Sequence, residues 1–143
     1  MEAQAAYDFL YKTTLGILYP NSTLFGVRSK ESEDFMIVKA MPGGYKDVLD
    51  GVSLKNMVHG ERTHLTKVKL KKGAVVPEHQ HHHEQTGHLI SGRLKFFNGD
   101  EETIVTPGDS WTFPGGKMHG AEALEDTVVI ELFSPVREDC LKL

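Results

Sequence analysis

From Tyr45 to the C-terminus, short stretches of alternating apolar and polar residues are cut by turn residues roughly every eight to twelve positions. That punctuation restricts the chain to a sandwich or barrel of short strands. The pattern predicts strands over Ser53–His59, Thr63–Lys71, Val76–His83, Gly87–Ser91, Arg93–Asn98, Glu102–Val105, Ser110–Phe113, Gly120–Ala123 and Thr127–Ser134. Between them stand Gly60, Gly73, Gly92, Asn98-Gly99-Asp100, Pro107-Gly108-Asp109 and Pro114-Gly115-Gly116. Asn98-Gly99 predicts a two-residue hairpin loop, because both positions tolerate positive φ.

Residues 1–44 read as an extension to a barrel over residues 45–143. Between Ala3 and Leu18, the residues Ala6, Phe9, Leu10, Thr13, Thr14 and Ile17 fall near one helical face, and Pro20-Asn21 ends the pattern. Phe35-Met36-Ile37-Val38 reads as a strand stopped by Pro42-Gly43-Gly44. With 143 residues the chain has room for one core.

The net charge of −4 argues against a nucleic-acid partner, since phosphate binding needs a basic face. Lys69, Lys71 and Lys72 make the one basic cluster and read as a solvated strand face. No apolar run approaches the roughly 20 residues that span a bilayer, and the N-terminus has no apolar core of a secretory signal. Cys140 is the single cysteine, so no intramolecular disulfide can form and a reducing cytoplasm is the expected compartment.

Four histidines crowd into His79-Gln80-His81-His82-His83, inside the chain and followed by Glu84-Gln85. On a strand, His79, His81 and His83 would share one face and Gln80 and His82 the other. Two imidazoles two residues apart can reach one ion across typical metal–nitrogen distances of about 2.0–2.1 Å. A metal site is therefore expected here.

The spacing around this cluster resembles the first motif of the cupins: Gly73, five residues, His79, one residue, His81, three residues, Gln85, six residues, Gly92. Downstream, Gly108, five residues, Pro114-Gly115-Gly116, two residues and His119 resemble the second motif. The resemblance extends over residues 45–137. It implies an all-β fold, the double-stranded β-helix or jelly-roll barrel, here with a short helical and strand extension at the N-terminus. It also implies one divalent transition metal ion held by His79, His81, Gln85 and His119. Imidazole suits zinc, nickel, iron, manganese or cobalt alike.

The chain departs from the family at Gln85, where glutamate is usual. Glu84, one residue earlier, would point to the opposite strand face. Glutamine occurs at that place in a subgroup of small cupins, and it leaves the ion its full 2+ charge. Ala123 replaces a motif asparagine.

On the last strand, Val129, Glu131 and Phe133 share one face. Glu131, Phe133 and Arg137 resemble the acidic–x–aromatic–x–x–x–Arg signature of cupins that linearise unsaturated uronates in pectin and alginate breakdown. The acid there is commonly aspartate. The resemblance implies an isomerase of carbohydrate metabolism acting on a small anionic sugar acid. Glu131 and Arg137 would be its catalytic residues, with Phe133 and His83 against the substrate. Two other readings remain open: an Fe(II)-dependent cupin dioxygenase, and a non-enzymatic barrel that binds a small ligand. Related cupins exchange N-terminal strands, so a homodimer is expected.

Overall fold

The computed structural model describes residues 36–143. The helix expected between Ala3 and Leu18, and Phe35 of the expected first strand, lie outside the described residues. Met36–Val38 carry no regular secondary structure, so that strand is absent from its described part. Among the described residues the strands begin at Lys46.

They are β1 (Lys46–Leu49), β2 (Val52–His59), β3 (His64–Leu70), β4 (Val75–His79), β5 (Glu84–Ser91), β6 (Leu94–Asn98), β7 (Glu101–Val105), β8 (Ser110–Phe113), β9 (His119–Ala123) and β10 (Thr127–Ser134). A short helix, α1 (Glu138–Leu141), follows them. One sheet runs β1-β2-β3-β10-β5-β8 and the other β4-β9-β6-β7, and every pairing is antiparallel. This is the expected all-β jelly roll. The hairpin loop is Gly99-Asp100, because Asn98 stays in β6 and pairs with Glu101. No helix among the described residues is long and apolar enough to cross a membrane.

Register gives the barrel two unlike ends. On β3, His64, Thr66, Val68 and Leu70 all point inward and are buried. Opposite them on β10 stand Phe133, Glu131, Val129 and Thr127 in turn. On the other side of β10, Gln85, Gly87 and Leu89 of β5 pair with Phe133, Glu131 and Val129. Toward Leu70 the interior is apolar, closed by Val68, Leu89, Leu94, Ala123 and Val129. Toward His64 the same inward rows turn polar. The apolar half supplies the burial that holds the sheets together, which leaves the other half free to carry side chains chosen for chemistry.

Candidate metal centre

β4 and β9 lie side by side with His79 opposite His119. The last residue of one strand and the first of the other thus bring two imidazoles together, ring centroids 4.5 Å apart. His81 completes the group, 5.7 Å from His79 and 5.3 Å from His119 between ring centroids. One ring nitrogen from each residue lies within 4.8 Å of the others, so the three can hold one ion.

Strand parity does not gather these rings, contrary to expectation. β4 ends at His79, and His81 and His83 stand in the loop before β5. That loop is pinned by the Pro114-Gly115-Gly116 turn. The Gly116 amide donates to the His81 carbonyl at 2.7 Å. Gly115 presses so closely on the His82 carbonyl oxygen that a Cβ would collide with it. The second motif's glycines therefore aim the first motif's histidine. His83 is buried outside the trio, its ring 3.8 Å from that of His82 and 6.5 Å from Phe133.

Each ring of the trio gives its Nδ1 to a backbone carbonyl: His79 to Pro77 at 2.9 Å, His81 to His83 at 3.1 Å and His119 to Lys117 at 2.8 Å. A carbonyl can only accept, so each Nδ1 carries the proton and each Nε2 presents a lone pair. Backbone partners of this kind fix the tautomer and ring orientation of metal-binding histidines. The Nε2 of His119 is buried with no partner.

Gln85 is the first inward residue of β5, while Glu84 is exposed. Its amide nitrogen donates to Glu131 Oε1 at 2.7 Å, which turns its Oε1 toward His81 Nε2 at 3.0 Å. Two lone-pair atoms at that separation repel unless a cation lies between them. A proton on His81 is opposed by burial first and by Arg137 next, which hold its pKa down although the contact with Gln85 pulls it up. Burial likewise holds His119 low. A divalent ion meets both needs: it would satisfy the orphaned Nε2 of His119 and separate His81 from Gln85. The residues present fit it.

Glu131 stands one inward step below Phe133, half-buried. Burial pushes its carboxyl up to about 7, against the pull of the Gln85 hydrogen bond and Arg137. Phe133 is 1% exposed, so it is a wall rather than an open contact face. The Arg137 guanidinium lies 5.0 Å above its ring. That guanidinium also binds Asp139 through two contacts, Nε to Oδ1 at 3.2 Å and Nη2 to Oδ2 at 2.6 Å. The pair draws Asp139 down to about 2.

Three residues near the site escaped the sequence reading. Asp139 stands two residues past Arg137, outside the signature that names Arg137. Trp111 faces inward on β8, across from Gly87. His64 is fully buried, with no partner on either ring nitrogen, and burial lowers it to about 4. The signal for His64 was present, since it shares strand parity with Thr66, Val68 and Leu70.

The Cupin domain family matches residues 66–134. Among solved structures, KdgF from Halomonas sp. is 39% identical, with a TM-score of 0.64 over 67% of this chain and 91% of that one. An RmlC-like cupin from Shewanella frigidimarina NCIMB 400 is 27% identical, with a TM-score of 0.64 over 67% of this chain and 86% of that one. The polyketide cyclase RemF from Streptomyces resistomycificus shares the fold at 19% identity, with a TM-score of 0.55 over 66% and 68% of the two chains. No curated protein matches.

Proposed function

This chain belongs to the cupin family, and we propose that within it the protein is a metal-dependent enzyme that opens the ring of a small anionic sugar acid of the unsaturated-uronate type. The observation that carries this reading is the Glu131–Gln85–His81 relay. It joins a carboxyl that burial pushes up to about 7 to the histidine trio through one amide. A group poised near neutrality can both take and return a proton. Similarity to the Halomonas KdgF and the Glu131, Phe133, Arg137 signature support the substrate class.

The ion would be held by His79, His81, His119 and Gln85, and when bound it supplies Lewis acidity at the sugar oxygens. Arg137 grips the substrate carboxylate with its two-pronged guanidinium, in exchange for Asp139. Phe133 supports Arg137 from below, and His83 closes the wall behind. Glu131 takes the proton of the anomeric hydroxyl as the bond from C1 to the ring oxygen breaks. That leaves an aldehyde at C1 and an enolate across C4, C5 and the released oxygen. Delivery of that same proton from Glu131 to C4 turns the C5–O bond into a carbonyl and completes the keto form. No atom is gained or lost, so no co-reactant is required.

Turnover of a 4,5-unsaturated uronate by metal-loaded protein, followed by NMR, tests the reading. Appearance of the linear keto product is expected. Binding without product would leave a ligand-binding barrel, and oxygen consumption by iron-loaded protein would point to a dioxygenase. We also read the protein as a homodimer, since Ile90 and Leu132 are exposed on the outer face of the larger sheet. Light scattering at micromolar concentration checks that, and a monomer counts against it.

A further inference from the structure

Arg137 and Asp139 form an unequal pair. The guanidinium gives Nε to Oδ1 at 3.2 Å and Nη2 to Oδ2 at 2.6 Å, the two-pronged grip that it would offer a ligand carboxylate. The Arg137 side chain is 20% exposed, whereas that of Asp139 is 60% exposed. A charge held mostly out of water is costly to leave without a counter-ion, while an exposed carboxylate returns to water at little cost. Asp139 is therefore the partner that can leave, provided that another anion takes its place.

The surroundings decide where the exchange takes place and what moves. Arg137 lies 5.0 Å over the Phe133 ring, and that ring stands 5.8 Å from His81. The guanidinium charge is felt at His81 and at Glu131, and it pulls both pKa values down. The backbone around Asp139 is pinned. Cys140 is buried in the core, and Asn56 Nδ2 of β2 donates to its carbonyl at 2.8 Å. The Leu141 amide donates to the Arg137 carbonyl at 3.2 Å. With α1 fixed in this way, release of the fork needs only the rotation of one exposed side chain.

We propose that Asp139 is a competitor built into the chain: its carboxylate occupies the fork of Arg137, and the carboxylate of the sugar acid must displace it to bind. The proposal rests on the sugar-acid reading of the site, in which Arg137 grips that carboxylate. Asp139 thus holds the affinity for substrate below what Arg137 alone would give. The linear keto product keeps the same carboxylate, so Asp139 competes with it as well and favours its release.

Metal-loaded Glu131→Gln protein, in which turnover should be slow, is titrated by calorimetry with a 4,5-unsaturated uronate. Adding Asp139→Asn should lower Kd roughly 3- to 5-fold, the worth of a well-aligned but partly exposed ion pair. A residue that merely held α1 or Arg137 in place would act in the opposite direction. Adding Glu138→Gln instead removes an equal charge one residue away and should leave Kd where it was. In an Arg137→Ala background, Asp139→Asn should no longer tighten binding. An unchanged or raised Kd for Asp139→Asn overturns the proposal. So does an equal fall for Glu138→Gln, which would make the effect one of net charge, or a gain that persists without Arg137. A uronate that does not bind the parent protein overturns it too. A wild type that turns over no uronate, while Asp139→Asn still tightens its binding, would sink the functional reading and leave the competition standing.

Discussion

Glu131 is balanced between burial, which favours its neutral form, and Gln85 with Arg137, which favour the anion. As the base that starts ring opening it must be ionised, so kcat/KM should rise with pH through about 7. Glu131→Gln should keep metal and substrate binding and lower turnover by roughly 10²–10⁴-fold. Arg137→Lys keeps the charge but loses the fork, so its defect should fall mainly on KM. Steady-state kinetics across pH separate the two; equal defects in both parameters for both variants would contradict the assigned roles. The histidine trio was legible as residues because its members stand at gapped motif positions. The contact of Gln85 with Glu131 was not legible, because it joins side chains 46 residues apart through strand pairing. For His64 the strand parity was legible as an inward position, but nothing in the sequence separates a partnerless buried histidine from any other core position.

At the scale of elements, the strand pattern was readable almost throughout, because glycine- and proline-bearing turns mark where short strands must stop. It failed where chemistry interrupts a strand. The stretch expected to run from Val76 to His83 ends at His79, since the Gly116 amide captures the His81 carbonyl outside any sheet ladder. β1 was missed because all four of its residues are exposed and carry no alternation of burial. The loop argument makes a prediction. Gly115→Val would drive a branched side chain into the His82 carbonyl oxygen, displacing His81 while leaving both sheets paired. Metal affinity should fall roughly 10- to 100-fold, the size of effect seen when groups orienting metal ligands are lost. Circular dichroism should stay that of the wild type. A variant with wild-type metal affinity would separate the turn from the aim of His81.

Over the whole molecule, the barrel divides into an apolar half that holds the fold and a polar half that strains it. His64, buried and lowered to about 4, must lose its proton on folding. Below its unfolded value of 6.5 the unfolded chain binds the proton more readily, so stability falls as pH drops from 6.5 toward 4. At most this amounts to about 3 kcal/mol. Glu131 acts with the opposite sign, since its raised value removes stability as pH rises from 4.5 through 7. Metal-free His64→Leu protein should therefore lose less stability on acidification than metal-free wild type, measured by urea midpoints at pH 7 and pH 5. Parallel losses in the two proteins would mean that His64 does not set the acid limb.

The central claim is that His79, His81 and His119 hold a functional ion, and metal analysis of protein purified without a histidine tag tests it most directly. Wild type should carry about one divalent transition metal ion per chain. His81→Ala and His119→Ala should lose it while keeping the barrel, because the apolar half is untouched by either change. Equal metal content in the wild type and both variants would contradict the account.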